Sequence, residues 1–110
     1  MPYVVYKFVL NGVIRYFGRT KNPKSRLSQH ISSCYNIKNK AYSKEFYKYV
    51  RSIYPNKESG SEALKQAFII IYTYKKLVDS KRMEMYLILD NYFNKGFTLY
   101  QKIPNIRDGY

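Results

Sequence analysis

Two runs of β-branched and aromatic residues, Val4 to Val9 and Val13 to Phe17, flank Asn11-Gly12, so the chain opens as a β-hairpin. Strand side chains alternate faces, so the loop length decides which residues share a side. A two-residue loop at Asn11-Gly12 pairs Leu10 with Val13 and separates Tyr6 from Tyr16. A three-residue loop, Leu10-Asn11-Gly12 with a G1 bulge, pairs Val9 with Val13 and sets Tyr6 opposite Tyr16; a site using both phenols requires this second register.

Asn22-Pro23 is a helix start, a capping side chain followed by proline at the first helical position. The helix it opens runs to about Cys34. Leu27, Ile31 and Cys34 recur at i, i+4 and i+7 as its apolar stripe, and Arg26 and His30 form an i, i+4 pair at the rim of the core. A second helix is expected from about Ser43 to Ile53, with Phe46, Tyr49, Val50 and Ile53 inward and Pro55 as its stop. Asn56 to Ser61 is polar, contains Gly60 and reads as the mobile loop. Phe68 to Tyr74 is a near-continuous apolar run that suits a central strand covered on both faces. Asp79 is a candidate N-cap, Met83 to Phe93 the main buried helix, and Gly96 its C′ residue. The tail, Phe97 to Tyr100 and onward, reads as a short edge strand. The result is an α/β (α+β) domain: a small, mostly antiparallel three-stranded sheet with an N-terminal hairpin, flanked by three or more helices.

Charge narrows the function. The 110 residues carry a formal charge of +13, far beyond what solubility requires, and fit one domain with one modest core. Residues 1–44 hold nine Lys/Arg and no acid, hence +9, and the remainder holds eleven bases against seven acids, hence +4. Such a front is an anion-attracting surface and points to nucleic acid, although ribosomal or membrane-apposed proteins share the trait. The lone Cys34 excludes an intramolecular disulfide and a cysteine-based structural zinc site. No run approaches the roughly 18 apolar residues of a membrane span, and no signal-type core follows Met1. A cytoplasmic setting, wherever the nucleic acid lies, is therefore expected, with no membrane partner. A composition rich in Lys, Asn, Ile and Tyr fits an AT-rich genome, such as that of a phage, a virus or a low-GC bacterium.

Few residues carry chemistry. Glu84 is the one acid in Met83 to Leu89, and a carboxylate on so apolar a helix needs a cation, hydrogen bonds or an exposed angle. The other acids are scattered, so a two-metal carboxylate cluster is excluded, and one cation on one glutamate is what the inventory permits. Arg26 offers a fork of donors for a phosphate oxygen, or is an ordinary surface arginine. His30, the only histidine, is a proton shuttle, a phosphate donor or a surface imidazole. Tyr6 and Tyr16 could position an attacking water, or could be core aromatics with hydrogen-bonded tips.

Taken in order, these residues resemble the GIY-YIG nuclease domain over nearly the whole chain. Val4-Val5-Tyr6 stands in the place of its first motif and Tyr16-Phe17-Gly18 in that of its second. Arg26 lies ten residues past Tyr16 with His30 a turn further on, and Glu84 precedes Leu87-Ile88 as the family's metal-binding glutamate does. Val4 replaces the first motif's glycine, and the family's late asparagine could correspond to Asn91, Asn94 or Gln101. The resemblance implies a DNA endonuclease of the homing or restriction kind, hydrolysing a phosphodiester by in-line attack of water. Tyr6 would orient or deprotonate the nucleophile, Tyr16 and His30 would assist proton transfer, Arg26 would stabilise the developing charge, and Glu84 would hold one Mg²⁺ or Mn²⁺. Arg15, Arg19, Lys21 and Lys24 would grip neighbouring phosphates. One such site cuts one strand, so a double-strand break requires a homodimer, a second binding event or successive nicks. A non-catalytic basic nucleic-acid-binding module on the same fold is the alternative.

Overall fold

A computed structural model describes residues 2–103. Its elements run β1 (Tyr3–Leu10), β2 (Val13–Thr20), α1 (Pro23–Tyr35), α2 (Glu45–Ile53), α3 (Lys57–Ala67), β3 (Phe68–Tyr74) and α4 (Leu77–Leu89), the last continuing into a π-helical turn, Asp90–Asn94. The sheet is antiparallel throughout in the order β2-β1-β3. The fold is therefore the expected α+β domain with its N-terminal hairpin. No helix among the described residues is long and apolar enough to cross a membrane.

The hairpin combines features of both registers considered. Its turn has two residues, Asn11 and Gly12, both at positive φ (53° and 76°), and Leu10 pairs with Val13. That register alone would send Tyr16 to the wrong face. A bulge corrects it: Val9 pairs with Ile14 but Phe8 pairs with Tyr16, so Arg15 is the extra residue in β2. Tyr6, Phe8 and Tyr16 thereby share one face, without the three-residue loop.

That face carries the main core. Tyr6, Phe8 and Leu10 pack with Cys34 of α1, Phe46, Tyr47 and Val50 of α2, and Leu64 and Ala67 of α3. Aromatic rings interlock across it, Tyr6 on Phe68 at 4.6 Å and Tyr16 on Phe46 at 4.7 Å between centroids. The opposite face carries a smaller cluster, Phe17 with Ile88 and Leu99, beneath α4.

Four further expectations are corrected. β3 is an edge strand, not the central one: it pairs only with β1, and Ile69, Ile70 and Tyr72 are exposed, so an uncharged run did not signify cover on both faces. Asn56 to Ser61 is no loop, because the Asn56 side chain caps α3 by accepting from the Glu58 N–H at 2.8 Å. Gly60 lies buried inside that helix because the Tyr35 phenol occupies the space of a Cβ. The fourth helix starts at Leu77, six residues before Met83, with Asp79 in its first turn rather than capping it. The tail forms no strand; instead Tyr100 N–H donates to Arg15 C=O at 2.9 Å, and the Gln101 amide bonds both backbone groups of Phe17 at 2.7 and 2.8 Å. A side-chain amide thus takes the place of a strand partner along the β2 edge. By contrast α1 forms as expected, with Asn22 accepting from Ser25 N–H at 3.2 Å, and Gly96 at φ 68° follows the π-helical turn.

Gly18 faces Tyr6 across the β1–β2 ladder, and a Cβ at that position would overlap the phenol ring of a side chain that has no exposed surface. Relief of glycine's backbone entropy would favour alanine by about 0.5–1 kcal/mol, whereas overpacking a rigid core costs about 1–3 kcal/mol. Gly18→Ala is therefore expected to destabilise the protein by about 1–2 kcal/mol, read as a lower urea midpoint at unchanged slope.

Candidate active site

The β2 edge, the N-terminal ends of α1 and α2, the middle of α4 and the tail enclose a pocket of about 800 Å³. Tyr16, Arg26, Lys44, Tyr47, Glu84 and Gln101 are among its lining residues. The bulge at Arg15 supplies Tyr16, the Asn22-Pro23 start orients the first turn of α1 that carries Arg26, and α4 brings Glu84 from the other side of the sheet. The guanidinium of α1 and the carboxylate of α4 thus open into one cavity.

Burial pushes the Glu84 carboxyl up, against the opposing pull of Arg19, Arg26 and Lys81, and its pKa lies above the ordinary value. Arg19 reaches it at 3.5 Å, with side-chain exposures of 33% and 21% for the arginine and the glutamate. This moves Arg19 away from the role of a plain phosphate grip. Among the described residues no three His, Cys, Asp or Glu gather as a metal cluster. The donor set still fits Mg²⁺ or Mn²⁺, because such ions are commonly held by one or two carboxylates completed by waters and substrate phosphate oxygens. Glu84, a hard oxygen donor in a pocket with room for those ligands, would be the residue that holds it.

His30 departs most from expectation. Instead of sharing the rim with Arg26 it is fully buried, with Nε2 2.7 Å from Tyr6 Oη and Nδ1 2.7 Å from Tyr47 Oη. It cannot touch a phosphate. Burial, reinforced by Arg26 and Lys44, lowers its pKa to about 3, so the ring is neutral at ordinary pH. Tyr6 is also fully buried and is absent from the pocket lining, its phenol pushed well above the usual range by desolvation. Tyr16 is half-buried and lines the pocket; desolvation raises its pKa as well, with Arg26 working in the opposite direction. The five residues therefore divide by depth: Tyr16, Arg26 and Glu84 at the pocket, Tyr6 and His30 behind it.

The basic residues divide as well. Arg15 donates to Thr98 C=O at 3.1 Å and lies over the Tyr49 and Tyr100 rings, which stack at 4.2 Å, so it fastens the tail. Lys21 and Lys24 are exposed, Lys21 lying over Tyr3 at 5.1 Å. Lys44, Tyr47 and Lys102 line the pocket without having been singled out from the sequence. Of the late amides only Gln101 reaches the pocket; Asn91 turns back to Leu87 C=O at 2.8 Å and Asn94 to Asp90 at 2.9 Å.

No family model matches this chain, and no curated protein or solved structure does so either. The site accordingly stands on its own geometry.

The neutral, buried imidazole makes stability depend on pH. In the unfolded chain His30 binds a proton below about pH 6.5, whereas in the folded one it does so only near pH 3. Between those values the unfolded state holds the extra proton, so stability is present above pH 6.5 and declines as pH falls. Urea unfolding at pH 7 and pH 5 is expected to show a loss on the order of 1 kcal/mol per unit in the wild type. The loss should be smaller in His30→Gln, whose side chain does not titrate.

Proposed function

We propose that this protein is a metal-dependent DNA endonuclease that hydrolyses phosphodiester bonds by in-line attack of water with a single divalent cation. The observation that carries this reading is that Arg26 and Glu84 line one pocket with Tyr16 between the strands' edge and α2, within a chain of charge +13. A phosphodiester is the substrate class that uses a guanidinium fork and a cation-holding carboxylate together. Mg²⁺ or Mn²⁺ on Glu84, completed by water and phosphate oxygens, would supply Lewis-acid stabilisation at the scissile phosphate.

The chain's own residues do the rest. Arg26 places its donors on a non-bridging oxygen and stabilises charge that develops there in the transition state. Tyr16, the accessible phenol, orients the attacking water; Tyr6 and His30 act from behind, as supports. Lys44 and Lys102 at the pocket, with Lys21 and Lys24 further along the surface, hold neighbouring phosphates, which gives affinity that weakens as salt rises. One pocket cuts one strand, and a double-strand break takes a homodimer or successive nicks.

A second reading is favoured by one contact. The Arg19–Glu84 ion pair accounts for the carboxylate without any metal, as a non-catalytic nucleic-acid-binding module would require. Supercoiled plasmid with Mg²⁺, with Mn²⁺ and with EDTA separates the two. The enzyme should nick only with a cation, and Arg26→Ala and Glu84→Ala should each lose about 10²–10³-fold in rate while binding DNA within a few-fold of wild type. Wild-type protein that binds but never cuts in either metal would establish the module instead.

A further inference from the structure

The end of the sheet opposite the hairpin turn gathers aromatic side chains that the pocket does not use. Between β1 and β3 the pairing slips by one residue: Val5 faces Tyr72 but Tyr6 faces Ile70, so Ile71 is an extra residue in β3. Strand side chains alternate, so without that bulge Tyr72 and Tyr74 would share the face of Tyr6 and the main core. With it, Tyr72 stands across from Val5 and Tyr74 across from Tyr3, on the opposite face, where Phe17 packs with Ile88 of α4. Three tyrosines thereby form a row. The Tyr72 and Tyr74 ring centroids are 6.2 Å apart, Tyr3 is the cross-strand partner of Tyr74, and Lys21 Nζ lies 5.1 Å from the Tyr3 ring centroid. Tyr72 is 43% exposed, and Tyr3 and Tyr74 are half-buried.

The charge that the sheet brings to this row is of one sign. Lys21, Lys75 and Lys76 are exposed, and neither residues 1–44 nor residues 68–78 contain an acid; the next along the chain is Asp79, in the first turn of α4. Rings flanked by lysines match a polyanion whose bases are free to stack. A duplex keeps its base faces inside its own stack and would use the lysines alone, whereas a single strand uses both. The spacing of 6.2 Å exceeds the roughly 3.4 Å per nucleotide of a helically stacked strand, so bases on Tyr72 and Tyr74 belong to a strand drawn out of its stack. We propose that Tyr3, Tyr72 and Tyr74 are a stacking platform for unpaired bases of single-stranded DNA, with Lys21, Lys75 and Lys76 on its phosphates. The platform joins the pocket along β2: Lys21 is two residues past Arg19, the partner of Glu84, and about 13 Å along the chain from Phe17 at the pocket wall. DNA as the ligand rests on the nuclease reading above, which gains from it a substrate class, DNA with an unpaired stretch beside the cut.

Fluorescence anisotropy of a labelled oligo-dT strand and of a labelled duplex, both in EDTA, tests this on the full chain. Tyr72→Ala should bind the single strand about 10-fold more weakly than wild type and the duplex within about two-fold, and Tyr72→Phe, which keeps the ring, should bind as wild type does. Unchanged single-strand affinity in Tyr72→Ala overturns the proposal, and so does an equal loss on strand and duplex. Lys75→Gln combined with Lys76→Gln should flatten the log–log salt dependence of single-strand binding by about 1–1.5, and an unchanged slope overturns the phosphate contacts. Cleavage in Mg²⁺ separates this inference from the reading beneath it. Wild type should cut a forked duplex faster than a fully paired one, and Tyr72→Ala should erase the difference. If wild type cuts both equally and Tyr72→Ala binds the single strand like wild type, the platform fails and the nuclease reading survives. Should wild type cut neither while Tyr72→Ala still loses single-strand affinity, the nuclease reading fails and the platform stands.

Discussion

The two hydrogen bonds on His30 are the constraint around which the protein is arranged. They join β1 through Tyr6, α1 through the imidazole and α2 through Tyr47, in an interior where none of the three has appreciable exposure. A buried polar group left unpaired costs about 1–3 kcal/mol, a large share of the net stability of a domain this size. The three elements must therefore meet in one geometry or lose that amount at each open bond. Two local features serve the same end: Gly18 leaves room for the Tyr6 ring, and the extra residue Arg15 turns Tyr16 onto the face where that ring lies. Because α1 is held this way by His30, Arg26, one turn earlier, is held at the pocket.

Electrostatics then sets what the pocket accepts first. Glu84 is the carboxylate on the α4 wall, with Arg19, Arg26 and Lys81 acting on it, and Lys44 and Lys102 line the same cavity. Its partner Arg19 is one-third exposed, and ion pairs of that kind are worth about 0–1 kcal/mol. The pair is weak enough to be exchanged for a stronger cation. Excess positive charge meanwhile opposes a bare divalent ion and favours an anion. On the nuclease reading, phosphate and cation enter as mutually dependent ligands, the phosphate oxygens adding the negative charge that one glutamate lacks.

What could be read from the sequence was local. Asn22-Pro23 declares its helix because capping and a fixed proline φ act within four residues, and Asn11-Gly12 declares the turn for similar reasons. The bulge could not be read, because a two-residue turn and a shared face for Tyr6 and Tyr16 are reconciled only by pairing across the sheet. α3 was hidden by Gly60, which signals a break locally but answers to Tyr35, a residue of α1. β3 misled because a run without charge is equally compatible with a central strand and with an exposed edge. Within the site, Arg26 and Glu84 were legible as charges in telling contexts. Tyr47 was not, being one of 14 tyrosines and distinguished only by an imidazole 17 residues away.

Depth decides which groups can perform chemistry and which can only arrange it. On the nuclease reading, a phenol with no exposed surface cannot meet a water that arrives with substrate, so Tyr6 is unsuited to contact the nucleophile, the role that the resemblance implied for it. Its high pKa argues the same way, since desolvation opposes the phenolate that a base would need. Tyr16 combines partial exposure with the Arg26 charge beside it, the one influence in the cluster that favours ionisation of both phenols. On the nuclease reading Tyr16, on the bulged edge strand, is the phenol placed for contact, while Tyr6 stays in the core on its hydrogen bond to His30. Gln101 satisfies both backbone groups of Phe17 in place of a strand partner, and it lines the same cavity as the neighbouring Tyr16.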